Sequence, residues 1–174
     1  MKKQTYRFFV TVLFASLLLL LVGCTEKTET KTQDENIQTI EAVLQKALNG
    51  PSDEMIKISE SEGLEDLVKY DEKLYKDYFA NETSYLHFVN NYSSTLMMEP
   101  MRNNYKLKVK NIEYEKSESK EIIYDFTVEL QYQKEDSESS EVEMVTGEAN
   151  MDEGHKIEGM VIRISDFLGS LHKK

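Results

Sequence analysis

The stretch YKLKVKNIEYEKSESKEIIYDFTVELQY, residues 105–132, decides the fold. At both of its ends, apolar side chains alternate with polar ones, and this period of two predicts strands with one buried face. The alternation shifts by one residue after Val109, which predicts a β-bulge near Asn111. The polar run 116–120 between the two halves predicts a turn. Residues 105–132 are therefore expected to form an antiparallel pair of strands.

The lysines of the first strand alternate with its apolar residues at positions 106, 108 and 110. Lysines along an exposed strand prevent pairing between the sheets of two molecules. This pattern favours an edge strand, and a positively charged binding stripe is the alternative.

Two further strands are expected downstream. Apolar residues of both parities over 142–151 predict a third strand with a slip in phase. Asp152-Glu153-Gly154 predicts a tight turn before a fourth strand at 157–164. Because residues 160–162 are all apolar, that strand is expected to be buried on both faces, as in the middle of a sheet.

Upstream of residue 105 the apolar residues recur with the period of an α-helix. The first predicted helix ends at Asn49-Gly50-Pro51, with Gly50 available for a left-handed cap. Pro100 is expected just beyond the end of the last one. The predicted helices cover about residues 36–48, 52–58, 64–81 and 85–96.

This order of elements predicts an α+β fold, with N-terminal helices packed on a curved four-stranded antiparallel sheet. Long strands curl, and a curled sheet with helices on its concave side forms a cone. The domain is expected to cover residues 36–168, followed by a C-terminal tail at 169–174.

The chain begins MKKQTYRFFVTVLFASLLLLLVGC, where three basic residues precede sixteen uncharged ones. This apolar run is short for a membrane span and is typical of a signal peptide. Leu21, Val22, Gly23 and Cys24 resemble the lipobox of bacterial lipoproteins. The resemblance implies that residues 1–23 are a lipoprotein signal peptide. It also implies that Leu21, Val22 and Gly23 guide the signal peptidase, and that Cys24 receives a diacylglyceryl group. An ordinary secretory signal and an uncleaved transmembrane anchor are the alternatives.

Residues 25–35, TEKTETKTQDE, contain no apolar side chain. Such a segment cannot bury enough surface to fold, so residues 24–35 are expected to form a lipidated, disordered tether. The implied partner is the membrane, reached through the lipid on Cys24. The implied location is the outer face of the cell membrane.

Charge and cysteine content exclude several classes of function. Three of the 21 basic residues and none of the 32 acidic ones lie within positions 1–23, so the mature chain has a formal charge of −14. A strongly negative domain is repelled by nucleic acid, and its charge serves solubility or attracts a cationic partner. Cys24 is the single cysteine. The domain therefore has no disulfide and no thiolate metal site.

Residues 36–168 resemble the nuclear transport factor 2-like, or cystatin-like, superfamily. The resemblance rests on helices followed by a meander and on the sequence DEGHKIEGM at 152–160, where His155 occupies the usual tryptophan position. Small lipoproteins of low-GC Gram-positive bacteria often carry such a domain. The family includes isomerases with an Asp or His inside the cone, dehydratases and non-catalytic binding domains. The fold therefore does not determine the function.

The residues themselves indicate no catalytic centre, metal site or cofactor. His87, His155 and His172 do not have metal-ligand spacing, and the chain contains no nucleophile or phosphate-loop motif. No carboxylate is expected on an inward face. Tyr114, Tyr124 and Tyr132 are the polar-tipped residues of the predicted inner face. They are interpreted as core packing or, alternatively, as the lining of a ligand pocket.

The sequence therefore favours a membrane-anchored, extracytoplasmic, non-catalytic binding or interaction module whose partner is an unknown protein or small ligand. A small-ligand carrier or a cone-pocket enzyme is the alternative. An open cone with an ionisable group inside would favour this alternative. A cone filled by its own side chains would favour the binding module.

Overall fold

The structure is a computed structural model that describes residues 34–60 and 63–172. The helices are α1 (Glu35–Leu48), α2 (Asp53–Glu60), α3 (Leu64–Tyr75), α4 (Glu82–Phe88), α5 (Ser94–Arg102) and α6 (Ser165–Leu171). A 3-10 turn, Lys76–Tyr78, follows α3, and a π-helical segment, Val89–Ser93, joins α4 to α5. The strands are β1 (Tyr105–Lys116), β2 (Ile122–Lys134), β3 (Ser140–Met151) and β4 (Ile157–Arg163).

The domain is α+β, with helices followed by an open antiparallel sheet in the order β1-β2-β3-β4. The predicted bulge is confirmed, because the register of β1 against β2 shifts between Val109 and Asn111. The predicted edge position of β1 is confirmed as well. The signal segment, the lipobox-like residues and most of the tether lie outside the described residues.

Two expectations for the second half of the sheet were wrong. The register of β3 against β2 has no shift from Ser140 to Met151, so β3 contains no slip in phase. Val142 and Met144 instead point to the outer face and are 51% and 56% exposed. Strand β4 lies at an edge of the sheet, and its central Val161 is 45% exposed. Both predictions assumed that apolar side chains on a strand are buried, whereas these side chains lie on the outer face of the sheet.

The end of α1 also differs from the expected left-handed glycine cap. Gly50 exchanges two backbone hydrogen bonds with Leu107 of β1, at 3.1 and 2.8 Å. The Asn49 side chain accepts a bond from the Val109 backbone N–H at 2.8 Å. The chain therefore leaves the helix in extended form and covers part of the β1 edge, which satisfies backbone groups that an open edge would expose.

The last predicted helix is broken and extended relative to the sequence pattern. Pro100 lies inside α5, which continues to Arg102, because tertiary packing of the buried ring outweighs the missing N–H. The π-helical segment adds one residue to a turn after Phe88. Ser93 therefore enters the core at 1% exposure, whereas the predicted stripe passes through Tyr92.

The folded unit extends past the predicted boundaries at both ends. Asp34 caps α1 by accepting a hydrogen bond from the Asn36 backbone N–H at 3.0 Å. At the other end, Phe167, Leu168 and Leu171 of α6 are each at most 6% exposed. Among the described residues, the helices are all too short or too polar to cross a membrane.

Candidate functional site

The inner face of the sheet is filled by its own side chains and covered by the helices. The inward residues of β2 are each at most 3% exposed, namely Tyr124, Phe126, Val128, Leu130 and Tyr132. The Phe126 ring lies over Gly147, since a Cβ added there would stand 2.2 Å from the Cζ atom of Phe126. The space in which a cone-shaped fold would hold a ligand is thus occupied by packed residues.

A buried carboxylate lies in the helical layer above this face. Asp71 of α3 is 3% exposed, and the Ser93 hydroxyl donates a hydrogen bond to its Oδ1 atom. One turn further along α3, Tyr75 is fully buried. Among the described residues its hydroxyl has no hydrogen-bond partner. Asp71, Ser93 and Tyr75 are called the Asp71 cluster below.

Burial dominates the electrostatics of the Asp71 cluster. It raises the pKa of Asp71, and the hydrogen bond from Ser93 opposes this by stabilising the ionised form. Burial also raises the pKa of Tyr75, and the negative charge of Asp71 adds to that shift. The same two causes raise the pKa of Tyr85 to about 12. The cluster therefore combines a carboxyl group that retains its proton above the usual pH range with a phenol that stays neutral.

Sequence reasoning missed this carboxylate, and the expectation of no inward acid was wrong for the helical layer. A signal was present, because Leu67, Asp71 and Tyr75 follow one another at intervals of four on one helix face. Ser93 had no such signal. It reaches Asp71 because the wider π-helical turn rotates it inward.

A second group of polar contacts joins the start of the domain to the β3–β4 turn. The Tyr124 hydroxyl donates to Asp34 and accepts from the Asn36 side-chain amide at 3.4 Å. The Asn36 amide oxygen lies 2.9 Å from Nδ1 of His155. The His155 Nε2 atom lies 3.3 Å from Glu35 Oε2. These contacts secure the point at which the predicted tether enters the fold.

The structure does not bring the three predicted pocket tyrosines together. Tyr124 and Tyr132 lie eight residues apart on β2, about 26 Å along the strand. The Tyr132 hydroxyl is 2.7 Å from Glu141 Oε2. The Tyr114 hydroxyl is buried without a hydrogen-bond partner among the described residues, and burial raises its pKa. Tyr132 is therefore distant from the other two, whereas Tyr114 lies diagonally across from Tyr124, because Tyr114 pairs with Phe126 in the register of β1 and β2.

The other candidate residues do not converge on a reactive centre. His87 is exposed on α4, and His155 belongs to the contacts described above. The His172 Nε2 atom lies 2.9 Å from Glu99 Oε2. Within residues 34–60 and 63–172, no three His, Cys, Asp or Glu side chains are grouped as they would be around a metal ion.

An apolar groove opens on the surface between α2, α3 and α5. It encloses about 220 Å³. Leu64 of α3 belongs to its lining and is 75% exposed, and Val68, one turn further along α3, is 50% exposed. The side chains that line the groove include Met55, Ile58, Leu64, Leu67 and Met98. It is called the α3 groove below.

Comparisons with known proteins add one structural likeness. No protein-family model and no curated protein matches the chain. The solution NMR structure of TraH, named as a transfer protein of the Gram-positive conjugative plasmid pIP501, aligns with 75% of this chain and 92% of its own. The chain is similar to that protein with 13% sequence identity and a TM-score of 0.45.

Proposed function

We propose that the chain is a bacterial lipoprotein whose lipidated Cys24 holds an extracytoplasmic domain at the outer face of the cell membrane. The support is the order of its first residues: a basic start, a short apolar run and the sequence Leu21-Val22-Gly23-Cys24. Two acyl chains anchor a protein stably, because each buried CH₂ contributes about 0.8 kcal/mol. The polar segment before Asp34 then serves as the tether.

The domain is proposed to act as a non-catalytic binding or interaction module with a cone-like fold of the nuclear transport factor 2 type. The observation that carries this proposal is the filled inner face, where the inward side chains of β2 are at most 3% exposed. A substrate or ligand needs an open concave site. A partner molecule would therefore bind at the outer surface of the domain.

The anchor is tested by comparing the full chain with the Cys24→Ala variant in a bacterium that processes lipoproteins. We expect the full chain to sediment with membranes and to dissolve only in detergent. Its intact mass should show loss of residues 1–23 and a gain of acyl groups. The variant should lack both properties. Recovery of an unmodified chain that still begins at Met1 would contradict the proposal.

The Asp71 cluster favours a second candidate, a small-ligand carrier or cone-pocket enzyme. A buried acid with a raised pKa beside hydroxyl groups is typical of sites that bind or transform a ligand. Native mass spectrometry of protein released gently from membranes separates the two functions. A binding module is expected at the mass of the lipidated chain alone. A co-purified small molecule that is lost in Asp71→Asn would favour the carrier or enzyme.

A further inference from the structure

In the first two turns of α3, Leu67 packs against the core, whereas Leu64 and Val68 remain exposed. Leu64 and Val68 lie on the same helix face as Asp71 and Tyr75, at the spacing of an amphipathic stripe. Asp71 and Tyr75 are at most 3% exposed, whereas Leu64 is 75% and Val68 is 50% exposed. The apolar stripe thus continues past the core, and its N-terminal half has no covering element among the described residues.

The α3 groove lies next to this uncovered stripe and is shaped for side chains rather than for a small molecule. Its volume of about 220 Å³ is below the roughly 300–1,000 Å³ of typical small-ligand sites. Met55 and Met98 contribute to its walls, and flexible methionines adapt to the shape of a bound segment. One or two apolar side chains of a helix or peptide would fill it.

The charge around the groove selects among occupants. Among the described residues of the range 53–73, six acidic and three basic side chains are exposed, since Asp71 is buried. Lys69 and Lys73 already pair with Glu65 and Glu54 at 2.8 and 3.0 Å. The mature chain has a formal charge of −14, so two copies repel each other and an acidic partner is repelled as well. A cationic partner is attracted.

We propose that the α3 groove docks a cationic amphipathic helical segment of a partner protein. Apolar side chains of that segment enter the groove and cover Leu64 and Val68, while its lysines or arginines face the acidic residues around it. The inference deepens the proposed function, because it rests on the domain being an interaction module, and it names the surface and the chemistry of the partner.

The test uses the full lipidated chain in nanodiscs of neutral lipid and a peptide of about 18 residues, long enough to form a helix. The peptide is built from leucine and lysine with an amphipathic period and carries photo-leucine. After irradiation, cross-links are mapped by mass spectrometry. They should concentrate on residues 55–60, residues 63–68 and Met98. The combined Leu64→Ser and Val68→Ser change should lower their yield at least about tenfold, because truncating central apolar anchors has effects of this size.

The matched control replaces Val142 and Met144 by serine, since these apolar residues are similarly exposed on the outer face of the sheet. This control should cross-link like the unaltered chain, and a peptide of leucine and glutamate should cross-link weakly. Equal cross-linking by the acidic peptide, or an even spread over the surface, would overturn the proposal. So would cross-links between two copies through α3 without peptide, because a second copy would then occupy the groove. An unlipidated Cys24 would refute the anchor and leave these cross-links unchanged.

Discussion

The close contact between Gly147 and Phe126 offers a sharp test of the filled inner face. A Cβ placed on Gly147 would lie 2.2 Å from Cζ of Phe126 and 2.3 Å from the backbone oxygen of Val161. Both distances are far shorter than the closest approach of a carbon atom to a carbon or oxygen atom to which it is not bonded. The Phe126 ring can move only into packed neighbours, and the carbonyl group of β4 is held by the sheet.

The expected cost of Gly147→Ala follows from these two contacts. Overpacking a filled core costs about 1–3 kcal/mol, and we expect the upper end because one of the two contacts involves backbone. At about 3 °C per kcal/mol for a domain of this size, the melting temperature should fall by about 9 °C. Replacing Phe126 by leucine in the same chain should recover part of the loss, since the contact with the Val161 oxygen remains.

Gly159 provides the matched control in the neighbouring strand. A Cβ added to Gly159 meets no atom within 4 Å, so Gly159→Ala should be neutral or stabilise the fold by about 0.5–1 kcal/mol. Unfolding in urea can be followed by far-UV circular dichroism and by tyrosine fluorescence, because the chain has ten tyrosines and no tryptophan. If Gly147→Ala unfolded within about 0.5 kcal/mol of the unaltered chain, the inner face would have spare room and the packing argument would fail.

Four further changes test the polar contacts of the core. Asp71→Asn should raise stability at neutral pH. Burial raises the pKa of Asp71 in the folded state, so protonated Asp71 stabilises the fold at acid pH. This stabilisation is lost as the pH rises from about 3.9, the pKa in the unfolded chain, through the higher pKa in the folded state. Urea midpoints from pH 4 to 8 should therefore decline in the unaltered chain more than in the variant, and a variant less stable throughout would refute this. Ser93→Ala should lower the free energy of unfolding by about 1–3 kcal/mol. It should also raise the pKa of Asp71 further, which carbon NMR of the carboxyl group would measure. An unchanged pKa would argue against the hydrogen bond. Tyr75→Phe should stabilise the domain by about 1 kcal/mol, since it removes a buried hydroxyl without a partner; calorimetry showing a loss would indicate a partner for that hydroxyl. Tyr124→Phe should cost about 1 kcal/mol and speed amide exchange at the start of α1 by removing the bond to Asp34. Unaltered exchange there would contradict the role of that bond.

The spacing of apolar residues along the chain predicted the strands and helices correctly where that spacing alone decides which side chains are buried. The alternation in β2 and the shift after Val109 predicted the strands and the bulge, because side chains on a strand alternate strictly between faces. The stripe of α1 was equally clear: Ile37 is partly buried, and the other apolar residues of the stripe are at most 3% exposed, namely Ile40, Val43, Leu44, Ala47 and Leu48. The α+β class followed from the order of these elements.

The failures share a cause, which is competition between local pattern and contacts distant in sequence. Val142, Met144 and Val161 are apolar but lie on the outer face, because pairing with β2 and with the β3 strand sets their orientation. Gly50 leaves the helix to pair with Leu107, which is 57 positions further along the chain. A short window of sequence does not show which distant residues its members will contact.

The sequence by itself determined the order of the N-terminal helices and the four strands, the strongly negative charge of residues 24–174 and the place of the single cysteine. Each of these is a property of residue type and spacing. Only the tertiary structure decided that Asp71 is buried beside Ser93 and Tyr75, and that Leu64 and Val68 remain uncovered on the same helix face. A residue on an apolar stripe is buried only if neighbouring helices or strands cover it. That coverage is set by the packing of the whole chain, and not by the local spacing of residues.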